Sequence, residues 1–279
     1  MVSGYRSETK LSKNIGRKRG SKLQKRKKES NLVKGLECME EYILQINDIC
    51  KKYGNVMALD HVNLSVPAGS IYGLIGENGA GKSTLFRILA GLSRQTSGVI
   101  TLADAKTEAE IIKQRRNIGF MIETPALYPN LSVLENLYLV QMQYSGKKDV
   151  ESAKKTLELT GLTEQGRKKA KHLSLGMKQR LALTIALLHN PEVLILDEPV
   201  NGLDPMGIVA FRKLILKLNT ERHITIMISS HILNELEQVA THYGFLHNGR
   251  VLKEISASDI PQSAVSLEQY YEKILEDDQ

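Results

Sequence analysis

The chain of 279 residues has no tryptophan and only two cysteines, Cys38 and Cys50. Two thiols near one end make neither a disulfide scaffold nor a four-ligand metal site, and they suit a reducing compartment. A chain of this length buries a full core without covalent staples. No segment approaches the ~18 uninterrupted apolar residues that would predict a membrane-crossing helix. The N-terminus is basic but no apolar stretch follows it, so it does not read as a secretory signal. Work at a membrane would require another chain to supply the spanning part.

A global basic field is also missing. The net charge is +7, yet residues 1–38 hold 12 Lys/Arg against 3 Asp/Glu, and the remainder holds 26 against 28. The positive excess therefore sits in the first 38 residues, and the body carries no broad electrostatic signal for nucleic acid. GRKRGSKLQKRKK shows no apolar period, so residues 1–38 are expected to be a disordered tail. Attraction to anionic lipids and contact with nucleic acid are further uses for such a tail. Met39 opens a different composition and is a candidate natural start.

From residue 39 the pattern predicts an α/β domain. Strand-like segments fall at 42–48, 56–66, 71–75, 97–103 and 117–122. The apolar runs VLILD (193–197) and ITIMISS (224–230) suit strands buried on both faces. Helical patterns start near Lys82, Met177, Pro205 and Ile232. The stretch 131–172 lacks strand character, has helical spacing in LENLYLVQMQY and VESAKKTLELTGL, and reads as a helical insert. FLHNGRVL predicts a closing hairpin turning at Asn248-Gly249, with a terminal helix beyond it.

The most informative segment is IYGLIGENGAGKST. An apolar strand runs into Gly76-Glu77-Asn78-Gly79-Ala80-Gly81-Lys82-Ser83 and on through Thr84 into a helix, the G-x-x-x-x-G-K-[ST] pattern in its required setting. Glycines let successive N–H groups face one anion, and the helix start adds its positive pole. Lys82 supplies a point charge for β/γ-phosphates, and the Ser83 hydroxyl suits Mg²⁺. Downstream, the buried strand of VLILDEP ends in two carboxylates. Asp197 suits Mg²⁺ and Glu198 suits a general base that polarises water.

With these motifs in this order, residues ~42–250 resemble the ATP-binding subunit of an ABC transporter. The fold implied is a P-loop NTPase sheet with an antiparallel β subdomain and a helical insert. The resemblance implies that Tyr53 stacks on adenine, although a lone tyrosine is as often a surface or core residue. Leu173–Gln179 resembles the LSGGQ signature, with Leu175 and Met177 departing from it and Ser174 and Gly176 retained. In the family this helix start faces the nucleotide held by a second subunit, so a homodimer enclosing ATP is implied; capping of the helix by Ser174 is compatible with that role. Glu123 stands where most relatives carry Gln and is implied as a Mg²⁺ ligand. Asp204 is implied at the dimer contact and also caps the helix opened by Pro205. His231 is implied on the γ-phosphate. His61, His172, His189, His223, His242 and His247 receive no role.

The resemblance thus implies an ATPase using ATP and Mg²⁺, with Glu198, His231 and Lys82 catalytic. It would drive a transmembrane permease on a separate chain, touch the membrane only through that chain, and sit in the cytoplasm on the inner face of the cell membrane. LSLGMKQR and Glu123 resemble the bacitracin and lantibiotic type, which implies antimicrobial peptides as cargo. Drug, ion or lipid export remains a rival. A soluble relative acting on ribosomes or DNA is disfavoured, because it would usually carry paired ATPase domains or a coiled-coil insert.

Overall fold

The computed structural model describes residues 41–122, 126–261 and 266–278. The tail and start-site expectations for residues 1–39, and the expectation for Glu123, lie outside the described residues.

In chain order the elements are β1 (Tyr42–Tyr53), β2 (Val56–Pro67), β3 (Ile71–Ile75), α1 (Lys82–Leu89), β4 (Ser97–Leu102), α2 (Glu108–Gln114) and β5 (Ile118–Met121). They continue with α3 (Val133–Ser145), α4 (Val150–Thr160), α5 (Leu175–Leu187), β6 (Val193–Asp197), α6 (Pro205–Arg222) and β7 (Thr225–Ser230). The last are α7 (Leu233–Glu237), β8 (His242–His247), β9 (Arg250–Ser256) and α8 (Leu267–Asp277). One sheet runs β2-β1-β4 and is antiparallel; the other runs β5-β6-β7-β3-β8-β9 and is parallel except at its β8–β9 edge.

Every residue of β3, β6 and β7 is buried, which is why these strands read as continuous apolar runs rather than as alternation. Both faces of the larger sheet are covered. Ile71 and Ile75 of β3 join a core with Phe211 and Ile215 of α6 and Tyr270 and Tyr271 of α8. Tyr72 and Leu74 point to the opposite face, into a core with Phe86 of α1 and with Ile46 and Leu64 of the smaller sheet. That alternation is the period of two expected along a strand.

Residues 131–172 hold α3, α4 and two short 3₁₀ turns at Thr163–Gln165 and Ala170–His172. Their core of Val133, Leu137, Ala153, Leu157 and Leu162 also takes in Leu181 and Leu188, from α5 and the residue that ends it. Ser132 and Glu135 form a reciprocal capping box at the start of α3, an arrangement in which the cap alone stabilises by about 1 kcal/mol. Gly146 and Gly161 end α3 and α4 in the left-handed conformation.

The turn joining β8 to β9 has Asn248 at φ 46° and Gly249 at φ 79°, as a tight hairpin with a right-handed twist requires. Its tip reaches two other elements. The Gly249 N–H donates to Ala80 O (3.0 Å), and the Asp60 N–H of β2 donates to Gly249 O (2.8 Å).

Candidate active site

Because β6, β7 and β3 are adjacent and parallel, their C-terminal ends open at one edge, the location where such sheets bind ligands. The loop after β3 lies there. A Cβ on Gly76 would meet Leu246 O at 2.3 Å, so the chain passes the hairpin only as glycine. Gly81 is at φ 111°, and a Cβ on it would meet Ala58 O at 2.7 Å. It is the N-cap residue of α1, it has no side chain to cap the helix, and no acidic residue follows in the first turn. The start of α1 therefore presents its N–H groups and positive pole to whatever anion occupies the loop.

Lys82, only 5% exposed, opens α1 and folds back over the loop. Its Nζ donates to Gly76 O (2.6 Å) and Glu77 O (3.1 Å). It also lies 3.4 Å from Glu198 Oε1, an ion pair. The geometry there is not that of a hydrogen bond, and Glu198 Oε1 is buried without such a partner among the described residues. Ser83 and Thr84 follow on the same helix, both half-buried.

The carboxylates lie at the end of β6. Asp197 is 5% exposed, and its Oδ1 accepts the Ser229 hydroxyl at 2.6 Å. Ser229 Oγ in turn accepts the Glu198 N–H at 2.9 Å. Cross-strand register causes this, since Asp197 pairs with Ser229. Glu198 sits at φ 47°, a left-handed conformation that costs a non-glycine residue about 1–3 kcal/mol. That turn aims its carboxylate back toward Lys82 and His231. His231 Nδ1 lies 2.8 Å from Glu198 Oε2, and an ionised carboxylate only accepts, so the ring nitrogen donates. One continuous path runs from Lys82 through Glu198 to His231.

The structure thus brings Lys82, Asp197, Glu198 and His231 together and adds Ser229, which sequence reasoning missed. Its only sequence signal is the hydroxyl pair closing ITIMISS. Tyr53 ends β1 on the smaller sheet and is 46% exposed. Its hydroxyl lies 3.3 Å from Ser93 Oγ, and Lys51 Nζ lies 4.6 Å from the ring centroid.

Ser174 and Asp204 belong to a different group. Ser174 caps α5, its hydroxyl accepting the Met177 N–H at 3.3 Å. The helix begins at Leu175, two residues before the expected Met177, because the cap is Ser174 itself. Asp204 Oδ1 accepts the Gly207 N–H at 2.9 Å, and Pro205 occupies the first turn of α6. A Cβ on Gly176 would lie 3.5 Å from Leu203, and one on Gly202 2.8 Å from Leu175, so the two helix starts pack on each other. Among the described residues no hydrogen bond or ion pair joins Ser174, Gly176 or Asp204 to Lys82, Asp197 or Glu198.

Away from this edge, Cys50, Asp60 and His61 bring ligand-type atoms within 4.8 Å of one another. Their present partners account for them: Asp60 holds Arg250 (2.7 Å to Nε), and His61 Nδ1 holds Asp48 (2.5 Å). No described helix is long and apolar enough to cross a membrane.

Residues 59–201 match the family described as ABC transporter. The bacitracin transport ATP-binding protein BcrA of Bacillus licheniformis is 47% identical over 216 residues, covering 76% of this chain and 69% of that protein. The lantibiotic transport ATP-binding protein SrtF of Streptococcus pyogenes is 42% identical over 212 residues, covering 76% and 90%. Among solved structures, a dimeric post-hydrolysis state of the ATP-binding cassette MJ0796 bound to ADP and Pi aligns with a TM-score of 0.69. It is 29% identical and covers 77% of this chain and 98% of that one.

Proposed function

The chain belongs to the ABC transporter family as the ATP-binding, ATP-hydrolysing subunit of an exporter, and we propose that it expels antimicrobial peptides of the bacitracin or lantibiotic kind through a separate permease. The observation that carries its chemistry is the Lys82–Glu198–His231 path at the open edge of the parallel sheet. Phosphoryl transfer asks mainly for charge neutralisation and alignment. Lys82 exchanges its loop carbonyls for the β/γ-phosphates of ATP, joined by the uncapped N–H groups at the start of α1. Release from Lys82 leaves Glu198 free to take a proton from the attacking water, while His231 fixes the carboxylate and reaches the γ-phosphate.

The donor set also fits Mg²⁺. Ser83 offers a hydroxyl, and Asp197 offers a carboxylate already oriented by Ser229, both hard oxygen donors. Bound there, Mg²⁺ would neutralise phosphate charge. Glu123 is proposed as a further ligand and Tyr53 as the adenine platform.

Among the described residues no hydrogen bond or ion pair joins Ser174, Gly176 or Asp204 to the chain's own Lys82 cluster, which supports a cycle in which two copies close around ATP and reopen after hydrolysis. Residues 131–172 are proposed as the arm that transmits this motion to the permease, on the cytoplasmic face of the membrane. Residues 1–38 are proposed to be dispensable for ATP turnover.

Glu198→Gln tests the chemistry: hydrolysis is expected to fall by about 10²–10⁴-fold while ATP-dependent dimerisation persists in light scattering. Ordinary turnover in that variant would remove Glu198 from its role. Cargo is tested by co-expression with a candidate transmembrane permease. Wild type should raise tolerance to bacitracin or a lantibiotic and Lys82→Ala should not; unchanged tolerance to both peptides would overturn the cargo assignment.

A further inference from the structure

Ser229, next to last in β7, serves both carboxylates of the site through one atom. It is 0% exposed, so solvent does not share its contacts. Its hydroxyl donates to Asp197 Oδ1 at 2.6 Å and accepts the Glu198 N–H at 2.9 Å. A serine hydroxyl has a single proton to give, an ionised carboxylate can only accept, and a peptide N–H can only donate. The direction of both bonds is therefore fixed. One buried oxygen sets the spacing between the carboxylate that suits a metal and the peptide of the residue that suits a base.

The Glu198 peptide needs such an anchor. Glu198 sits at φ 47°, a conformation that a non-glycine residue keeps only where its surroundings hold it. Its carbonyl accepts the Asn201 N–H at 3.1 Å, a bond inside its own turn. Its N–H ties that turn to β7 through Ser229. The side chain has two further ties, to Lys82 at 3.4 Å and to His231 at 2.8 Å. In the cycle proposed above Lys82 leaves for the phosphates. The carboxylate then rests on His231 and on the backbone that Ser229 holds.

We infer that Ser229 is a positioning residue that couples the two carboxylates: its hydroxyl orients Asp197 toward Mg²⁺ and, through the Glu198 N–H, holds the turn that aims the base. Ser229 acts only through these neighbours. Firming Asp197 on a metal firms the Glu198 turn, and the effect is reciprocal, as linkage requires. The inference rests on the reading of Asp197 and Glu198 given above.

The test measures how far Mg²⁺ strengthens binding of the non-hydrolysable analogue AMP-PNP, from its affinity in MgCl₂ and in EDTA. Ser229→Ala should lower that enhancement about three- to tenfold, the worth of one ordinary hydrogen bond. Affinity in EDTA should hold, because Lys82 and the start of α1 are untouched. The kcat for ATP should fall about ten- to a hundredfold with little change in KM, the mark of a base out of line. Ser229→Cys, close to serine in shape but a weak donor, should follow alanine, and Ser229→Thr, which keeps the hydroxyl, should exceed both. Ser70→Ala is the structural control. Ser70 is also buried, its hydroxyl donating to Pro67 O at 2.6 Å just before β3, at the end of the sheet away from the site. Its loss should lower the melting temperature and leave the Mg²⁺ enhancement intact. In wild type, exchange of the Glu198 amide followed by NMR should slow when Mg²⁺ is added to the AMP-PNP complex, a readout that needs no mutation.

An unchanged Mg²⁺ enhancement in Ser229→Ala, a threonine no better than alanine, an equal loss in Ser70→Ala, or a Glu198 amide indifferent to Mg²⁺ overturns the inference. Asp197→Asn separates the two readings. If it loses the enhancement while Ser229→Ala keeps it, only the serine inference fails. If Asp197→Asn keeps the enhancement, the metal reading of Asp197 and the inference fail together.

Discussion

Two helix starts in this molecule are built on opposite plans. The start of α1 has a left-handed glycine at its N-cap, no capping side chain and no acidic residue in its first turn. The start of α5 is closed by its own serine, Ser174, whose hydroxyl already holds the Met177 N–H. With glycine at the N-cap in place of a capping side chain, a helix gives up only about a few tenths of a kcal/mol of stability. The difference shows which end is kept open for an external anion. At α1 the proposed nucleotide would supply the missing cap, whereas at α5 an anion from a second subunit would have to share a hydroxyl that is already committed.

The largest blow to this contrast is expected from Gly81→Ala. The new Cβ would stand 2.7 Å from the Ala58 carbonyl at a φ of 111°, so the loop must move. Nucleotide binding should be abolished in an equilibrium binding assay, whereas intact affinity would mean that the open start of α1 is not the anion site. A middling effect is expected at the other start. Ser174→Ala should cost about 1 kcal/mol in denaturant unfolding, and Ser174→Asn, an equally good cap, should restore it. If ATPase activity returns with Asn as fully as stability does, the serine is a cap and nothing more. If activity stays low, its hydroxyl serves the opposite subunit.

The smallest effect concerns a residue outside both starts. The His189 ring stacks on Tyr144 at 3.5 Å, and its Nε2 is buried without a hydrogen bond among the described residues. Burial holds its pKa below the ordinary histidine value. The folded state thus binds the proton less readily than the unfolded one. The neutral ring's contribution is complete above the unfolded pKa and is lost as pH falls through the folded value. His189→Phe should therefore flatten the fall in melting temperature on going from pH 7 toward pH 5. An identical slope in both proteins would show that the ring titrates freely.

Sequence made parts of this plain and hid others for physical reasons. The bounds of β3 and β6 are legible because strands buried on both faces must be apolar throughout and are cut off by the polar residues that follow. The loop and the carboxylates are legible because phosphate chemistry constrains neighbours in the chain. Ser229 is not, since its tie to Asp197 and Glu198 arises from the pairing of β6 with β7, a register that no local pattern encodes. The helix α2 lies outside the expectations, although Thr107 and Glu110 form a capping box that announces it. β1 runs on to Tyr53, five residues beyond its alternating segment, because bulges after Ile46 break the period of two.

The hairpin tip at Gly249 has a mechanical consequence. A single residue, Gly249, gives its N–H to the loop at Ala80 and takes one from Asp60 of β2, as a stitch passes through two pages. Tilting the smaller sheet, with Tyr53 at its corner, must then tug the cradle around Lys82. If Tyr53 carries the adenine as proposed, a force applied at the purine end of the nucleotide would be felt at its phosphates without crossing the hydrophobic interior.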